Sequence, residues 1–324
     1  MKIVITGAAG FLGRKLTRAL LRAEGPLAGF DRPLRELVAA DLQAPPETGD
    51  PRFRGVSCDI GDPSAVAALV EGADLVFHLA AIVSADAEAD FDRGMRVNLD
   101  GTRHLLEALR AGGRCPRLVF ASSVAVYGGT LPDPVTDDTH LTPRTSYGTQ
   151  KAVGELLVND YSRKGYIDGR SLRLPTIVVR AGKPNLAAST FASSVIREPL
   201  AGEQAVCPVA PETAMYLLSP RRVVAAFLHA AGLPAEAFGD WRSVVLPGLT
   251  VTVGEMLETL RRVAGEEVAA RVRFAPDPRI QAIVAGWPAR FAAERGRALG
   301  FSADADFEEI LRAHMEDELG GRIG

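Results

Sequence analysis

The chain has 324 residues, 47% hydrophobic and 24% charged, with a formal net charge of −3. That length is enough to bury a large core, and the charge excludes bulk attraction to nucleic acid or an anionic membrane. The cysteines, Cys58, Cys115 and Cys207, are scattered with no CxxC pair, which fits a reducing compartment and a cytoplasmic protein.

"KIVIT" at the N-terminus reads as a buried strand, and "GFLGRKLTRALLRA" after it has helical periodicity. Between them lies the glycine turn "GAAGFLG", Gly7 to Gly13, with glycines at 7, 10 and 13. A strand, a glycine turn and a helix together make an anion site. The free N–H groups of the first helical turn point outward, and the helix dipole adds positive charge. Glycine lets a pyrophosphate approach the backbone. Alone, this pattern also occurs with no ligand. "PLAGFD" reads as a second strand ending at Asp31, 18 residues after Gly13, where a carboxylate can accept hydrogen bonds from an adenosine ribose. That charge would repel a 2′-phosphate and so favours NAD, against the pull of Arg14, Arg32 and Arg35.

"FRGVSCDI" is the third strand, "DPSAVAALVEGA" an Asp-capped helix and "DLVFHLAA" the fourth strand, with His78 as a core histidine. "EADFDRGMRVNLDGTRHLLEALRAGG" reads as one long helix, and "PRLVFASS" as the fifth strand. Helix "SYGTQKAVGELLVNDYSRKG" and strand "RSLRLP" follow. Such alternation means a doubly wound α/β fold, a parallel sheet with helices on both faces. After Arg173 it breaks into Pro- and Gly-rich stretches. The expected division is a dinucleotide-binding domain over 1–174 and a smaller substrate-binding lobe over 175–324, with segments returning to the sheet. No apolar run reaches the ~18 residues of a membrane helix. The five histidines show no HxxxH or HExxH spacing, so no metal site is expected.

Tyr147 and Lys151 lie four apart, so both project from one face of their helix. A phenol near pKa ~10 is a poor base at neutral pH, and an ammonium beside it favours the phenolate. The same spacing also arises by chance. Ser122 and Ser123 end the fifth strand, where ligands meet such sheets, and a serine hydroxyl there can polarise a substrate oxygen.

Taken in order, "TGAAGFLG", Asp31, "CDI", "HLAA", "NLDGT", "SSVAVYG" and "YGTQK" resemble the NAD-dependent epimerase/dehydratase group of extended short-chain dehydrogenases/reductases, over about residues 1–180. The resemblance implies Tyr147 as general acid/base, Lys151 lowering its pKa and binding the nicotinamide ribose, and Ser123 orienting the reacting hydroxyl. It places Gly7, Gly10, Phe11, Leu12 and Gly13 on the pyrophosphate. Asp59 and Ile60 flank the adenine, Leu79, Ala80 and Ala81 line the cofactor, and Pro175 and Thr176 approach the nicotinamide. Asn98 supports the relay helix. It also implies a homodimer paired through the helices of Asn98 and Tyr147, with Leu105, Leu106, Leu109, Val153, Leu156 and Leu157 supplying a second apolar face.

"RLPTIVVRAGKPNLAAS" and "SPRRVV" are similar to members that oxidise a four-carbon sugar acid with NAD, whereas nucleotide-sugar enzymes carry a "DDVA"-like segment at the latter place. A sugar acid needs a basic partner. Arg180, Lys183, Arg197 and Arg221 are the candidates, with Asn185, Ser189, Thr190 and Ser84 for substrate hydroxyls, Ser84 also being a candidate helix cap. The alternatives are a nucleotide-sugar epimerase or dehydratase and a non-catalytic cofactor sensor. Against the last stands the retained Tyr147–Lys151 pair.

Overall fold

The computed structural model describes residues 1–182 and 188–321. Its elements begin with β1 (Lys2–Thr6), α1 (Phe11–Arg22), β2 (Glu36–Asp41), β3 (Phe53–Ser57), α2 (Pro63–Val70) and β4 (Leu75–His78). There follow α3 (Ser84–Ala89), α4 (Phe91–Gly94), a π-helical turn over Met95–Asp100, and α5 (Gly101–Ala111). β5 (Arg117–Ser123), α6 (Ser146–Arg163) and β6 (Asp168–Leu174) come next.

These strands and Ser243–Val245 form a seven-stranded parallel sheet in the order 243–245, β6, β5, β4, β1, β2, β3. The order reverses between β1 and β4, and doubly wound sheets bind ligands at the carboxyl ends of the strands flanking that reversal. Every residue of β1 and β4 is buried, the mark of strands covered on both faces. Leu105, Leu106 and Leu109 of α5 pack with Val4, Val76, Leu118 and Phe120 in one core. All three leucines therefore face inward, and the second apolar face expected of α5 is not there.

Three expectations about elements need correction. "PLAGFD" is a turn: Gly29 has φ +73°, Phe30 N–H donates to the Leu27 carbonyl at 3.0 Å, and a lone bridge joins Pro26 to Pro33. The second strand instead starts at Glu36, in register Lys2↔Glu36 to Thr6↔Ala40 with β1. The residue ending it is Asp41, and Asp31 lies in the turn with its side chain 92% exposed. The long helix expected over 88–113 is broken. Asp90, at φ −131° and ψ 88°, ends α3 and caps α4 by accepting from Arg93 N–H, and the π turn follows.

The chain divides into two compact units rather than at one point. One comprises Met1–Val126, Thr145–Arg173 and Val224–Val245, the other Tyr127–Arg144, Leu174–Val223 and Leu246–Gly324. The second unit has its own core, where Val195, Ile196, Met215, Leu217, Met256, Leu260 and Ile310 pack together. Among the described residues no helix is long and apolar enough to cross a membrane.

Candidate active site

The glycine turn is built by close backbone approach. Gly7 has φ +74°, and a Cβ there would lie 2.7 Å from Ala80 N. At Gly13 a Cβ would lie 2.3 Å from the Gly7 carbonyl oxygen and 2.6 Å from Ala8 Cα. Any side chain at these two positions would force β1, α1 and the end of β4 apart. Gly10 is the N-cap of α1 and supplies no side-chain cap, and no acidic residue lies in the first turn, with Phe11, Leu12 and Gly13. The helix N-terminus is left to an anion.

Beside it Asp41 ends β2. Its Oδ2 accepts from Ala9 N–H at 3.0 Å and its Oδ1 from Leu42 N–H at 2.8 Å, which fixes the carboxylate next to the glycine turn. The run "ELVAAD", four buried residues closed by an acid, was the signal for it. Asp59, just past β3, accepts from Gly61 N–H at 2.8 Å and Arg96 Nη1 at 2.9 Å. The Arg96 guanidinium holds its carboxyl below the usual carboxylate range. Buried Ile60 follows, under α5.

The loop after β4 is tied to the sheet and to the π turn. Leu79 N–H donates to the Thr6 carbonyl at 3.1 Å and Ala80 N–H to Thr6 Oγ1 at 3.3 Å; Ala81 follows. Asn98 Oδ1 accepts from Ile82 N–H at 2.8 Å, while its Nδ2 donates to the Ile82 carbonyl at 3.1 Å and to Gln150 Oε1 at 2.8 Å. Asn98 thus joins the loop after β4 to the helix that carries Tyr147 and Lys151. His78 is a core histidine here: Nδ1 is 2.7 Å from Thr6 Oγ1 and Nε2 3.0 Å from Thr102 Oγ1. Burial pushes it down to about 3, so it is neutral at physiological pH. Because Thr102 Oγ1 donates to the Asn98 carbonyl, it accepts from His78, which assigns the proton to Nε2.

β5 ends in two serines that face opposite ways, as alternate residues of a strand must. Ser122 is buried, and Ser123 is half-buried with its Oγ accepting from Ala125 N–H at 3.1 Å. α6 starts at its cap Thr145, whose Oγ1 accepts from Gly148 N–H at 3.0 Å. That start puts Tyr147 in the first turn and Lys151 one turn on. The Lys151 ammonium lies 5.6 Å from the Tyr147 ring centre, donates to the Ala121 carbonyl at 2.8 Å and sits 4.7 Å over the Phe120 ring. Burial brings Lys151 down to about 7, with Glu155 acting the other way. The carbonyl two residues before Ser123 therefore anchors Lys151, and with it the Tyr147–Lys151 pair, near the end of β5.

The remaining residues are dispersed. Ser84 is the first residue of α3, whose cap is Val83, so it does not cap the helix. Pro175 precedes, and Thr176 begins, the strand Thr176–Ile177 of a three-stranded sheet in the second unit. The Arg180 backbone is pinned, its N–H donating to Ser193 Oγ at 3.0 Å and its carbonyl accepting from Arg197 Nη1 at 2.7 Å. Lys183 and Asn185 lie outside the described residues. Arg221 is committed elsewhere: its Nη2 pairs with Asp317 at 2.6 Å and Glu316 at 2.9 Å, so the expectation that it meets a substrate carboxylate is withdrawn.

An uncapped helix start after β1, a carboxylate ending β2 and the Tyr147–Lys151 pair beside the end of β5 fit the class of dinucleotide-dependent enzymes. The model of the NAD dependent epimerase/dehydratase family matches residues 3–232, and the chain belongs to that family. It is 55% identical to D-erythronate dehydrogenase of Cupriavidus necator over 319 residues, covering 98% of each chain. It is 44% identical to D-erythronate dehydrogenase of Haemophilus influenzae over 321 residues, 98% of this chain and 100% of the relative. A solved structure described as the nucleoside-diphosphate-sugar epimerase from Agrobacterium tumefaciens superimposes with TM-score 0.95 at 47% identity, over 100% of this chain and 96% of that one. The chain is an NAD-dependent dehydrogenase of the extended short-chain type, with NAD as cofactor. The uncapped start of α1 and the Asp41 carboxylate suit the cofactor's pyrophosphate and ribose.

Proposed function

We propose that the chain oxidises a secondary hydroxyl of a short sugar acid, D-erythronate first among them, to the keto acid, with Tyr147 as general base. The likeness to two D-erythronate dehydrogenases over nearly the whole chain carries the substrate class. NAD, when bound, supplies the hydride acceptor. Ser123 holds the reacting hydroxyl, Tyr147 takes its proton, and Lys151 favours the phenolate and contacts the nicotinamide ribose. The test is NADH formation, followed by absorbance, with a panel of aldonates, matching polyols and nucleotide sugars. A second reading, nucleotide-sugar epimerisation, has one observation in its favour, the description of the Agrobacterium structure. If no aldonate is oxidised and a nucleotide sugar is epimerised, it takes over.

Asp41 is proposed to accept the adenosine ribose hydroxyls, the role first read for Asp31. NAD is then preferred over NADP, because a 2′-phosphate would meet a fixed carboxylate. Asp41→Ser is expected to lower the NAD/NADP ratio of kcat/KM by about tenfold or more, a loss of about 1.4 kcal/mol of discrimination. Steady-state kinetics with both cofactors checks it, and an unchanged ratio would return the role to another residue.

For the substrate carboxylate, Arg180 is proposed as the basic partner. Arg180→Ala is expected to raise KM strongly for the acid and little for the matching polyol, with a loss of about 2–5 kcal/mol if the pair is desolvated. Equal effects on both substrates would rule it out.

A homodimer paired through α6 is supported by Leu156, 53% exposed, with Phe91 of α4 58% exposed. Val153 and Leu157 are half-buried on α6. Light scattering at micromolar concentration is expected to give twice the chain mass, and Leu156→Glu the single chain. We also place the protein in the cytoplasm, for which its three free cysteines speak.

A further inference from the structure

Behind Lys151 lies a buried ion pair that the proposed proton transfer does not use. Glu155 follows Lys151 by one turn of α6, so the two side chains leave the same face. Its carboxylate is fully buried and accepts from Ser122 Oγ at 2.5 Å. Arg173 of β6, also buried, donates to both oxygens, with Nε at 3.0 and 3.1 Å and Nη2 at 2.7 Å. Ser122 in turn immediately precedes Ser123. One carboxylate therefore connects the catalytic ends of β5, β6 and α6.

The groups around Lys151 come from four elements. α6 contributes Tyr147 and Glu155, β5 the Ala121 carbonyl and the Phe120 ring, and β4 the neutral His78. β6 contributes Arg173, which meets the Glu155 carboxylate. Among these, Glu155 is the carboxylate.

We infer that Glu155 and Arg173 are positioning residues that set the protonation of Lys151, with Ser122 orienting the carboxylate. The inference rests on the reading of Lys151 as the partner of Tyr147. Without an anion nearby, burial would discharge the amine and Tyr147 would lose the cation that favours its phenolate. An unopposed carboxylate would instead bind the ammonium as a full ion pair and draw it from the phenol. The Arg173 guanidinium tempers the carboxylate between these extremes. Burying an ion pair is weak as a stability device, since apolar replacements of similar volume are often neutral or stabilising. Its place beside the catalytic lysine then calls for an electrostatic role.

The chain has five lysines, so protein labelled with 13C at lysine Cε gives a simple NMR spectrum in which Lys151→Arg identifies the Lys151 signal. In the wild type the Lys151 midpoint is expected well below that of an ordinary lysine. Glu155→Gln should lower it further by about one pH unit or more, and Arg173→Met should raise it by a similar amount. Opposite shifts from removing the two halves of one pair do not follow from loosened packing. Where a single variant does not fold, Ser122→Ala keeps both charges and removes one hydrogen bond from the carboxylate, and its midpoint should rise by less. The alkaline limb of kcat/KM should follow the NMR midpoint. An unmoved midpoint in the folded variants, or shifts of the same sign, overturns the inference. A wild type that oxidises no sugar acid, or a silent Tyr147→Phe, overturns the functional reading instead and leaves the NMR titration to decide the role of the pair.

Discussion

Tyr147→Phe is expected to lower kcat by about 10²-fold or more while NAD affinity stays within about twofold. The substitution removes one oxygen and keeps the ring against which Lys151 packs, 5.6 Å from its centre. α6 does not depend on that oxygen either, since its start is held by Thr145 Oγ1. What is lost is the acceptor for the substrate proton, with Lys151 left beside a ring that cannot ionise. Single-turnover kinetics together with NAD titration by fluorescence separates the two quantities. Near-normal turnover in Tyr147→Phe would remove Tyr147 from the chemistry and leave Ser123 or a water as the base.

Gly13→Ala is expected to weaken NAD binding by about tenfold or more and to destabilise the fold by about 1–3 kcal/mol. The added Cβ would sit 2.3 Å from the Gly7 carbonyl oxygen and 2.6 Å from Ala8 Cα. Both are backbone atoms, so no side-chain rotation relieves the clash and α1 must move away from β1. That movement takes the first-turn N–H groups of α1 from the position they offer an anion, and affinity falls with the fit. At Gly10 the same Cβ would lie 3.1 Å from the Gly7 carbonyl oxygen, a contact relieved by a shift of tenths of an ångström. Gly10→Ala should therefore be the milder variant. Calorimetric NAD titration and thermal melting of both variants check this order, and an unaffected Gly13→Ala would mean that the turn is looser than its packing indicates.

The chain shows which features can be read from local sequence and which cannot. The β1–turn–α1 unit, β3 to β6, and the Tyr147–Lys151 face of α6 were all legible, because each depends on residues within a few positions of one another. Apolar runs, glycines three apart and side chains four apart on a helix carry their meaning locally. The acidic end of β2 was misplaced because pairing decides it. "PLAGFD" is apolar enough for a strand, but Gly29 and the bridged prolines turn it, and the register with β1 puts Asp41 level with the glycine turn. The π turn inside the expected long helix goes with a tertiary contact, since Asn98 within it bonds both backbone groups of Ile82. Charge assignments followed the same rule. Arg221 looked available for a substrate carboxylate until Glu316 and Asp317, nearly a hundred positions along, were found on it. Glu155 likewise owes its partners to the fold, since β5 and β6 bring Ser122 and Arg173 to it. By itself the sequence determined the kind of site, because backbone conformation and helical spacing are local properties. Which carboxylate ends β2 and which charges are paired with one another was decided only by the tertiary structure, because a charge acts on whatever the fold brings near it, at any distance along the chain.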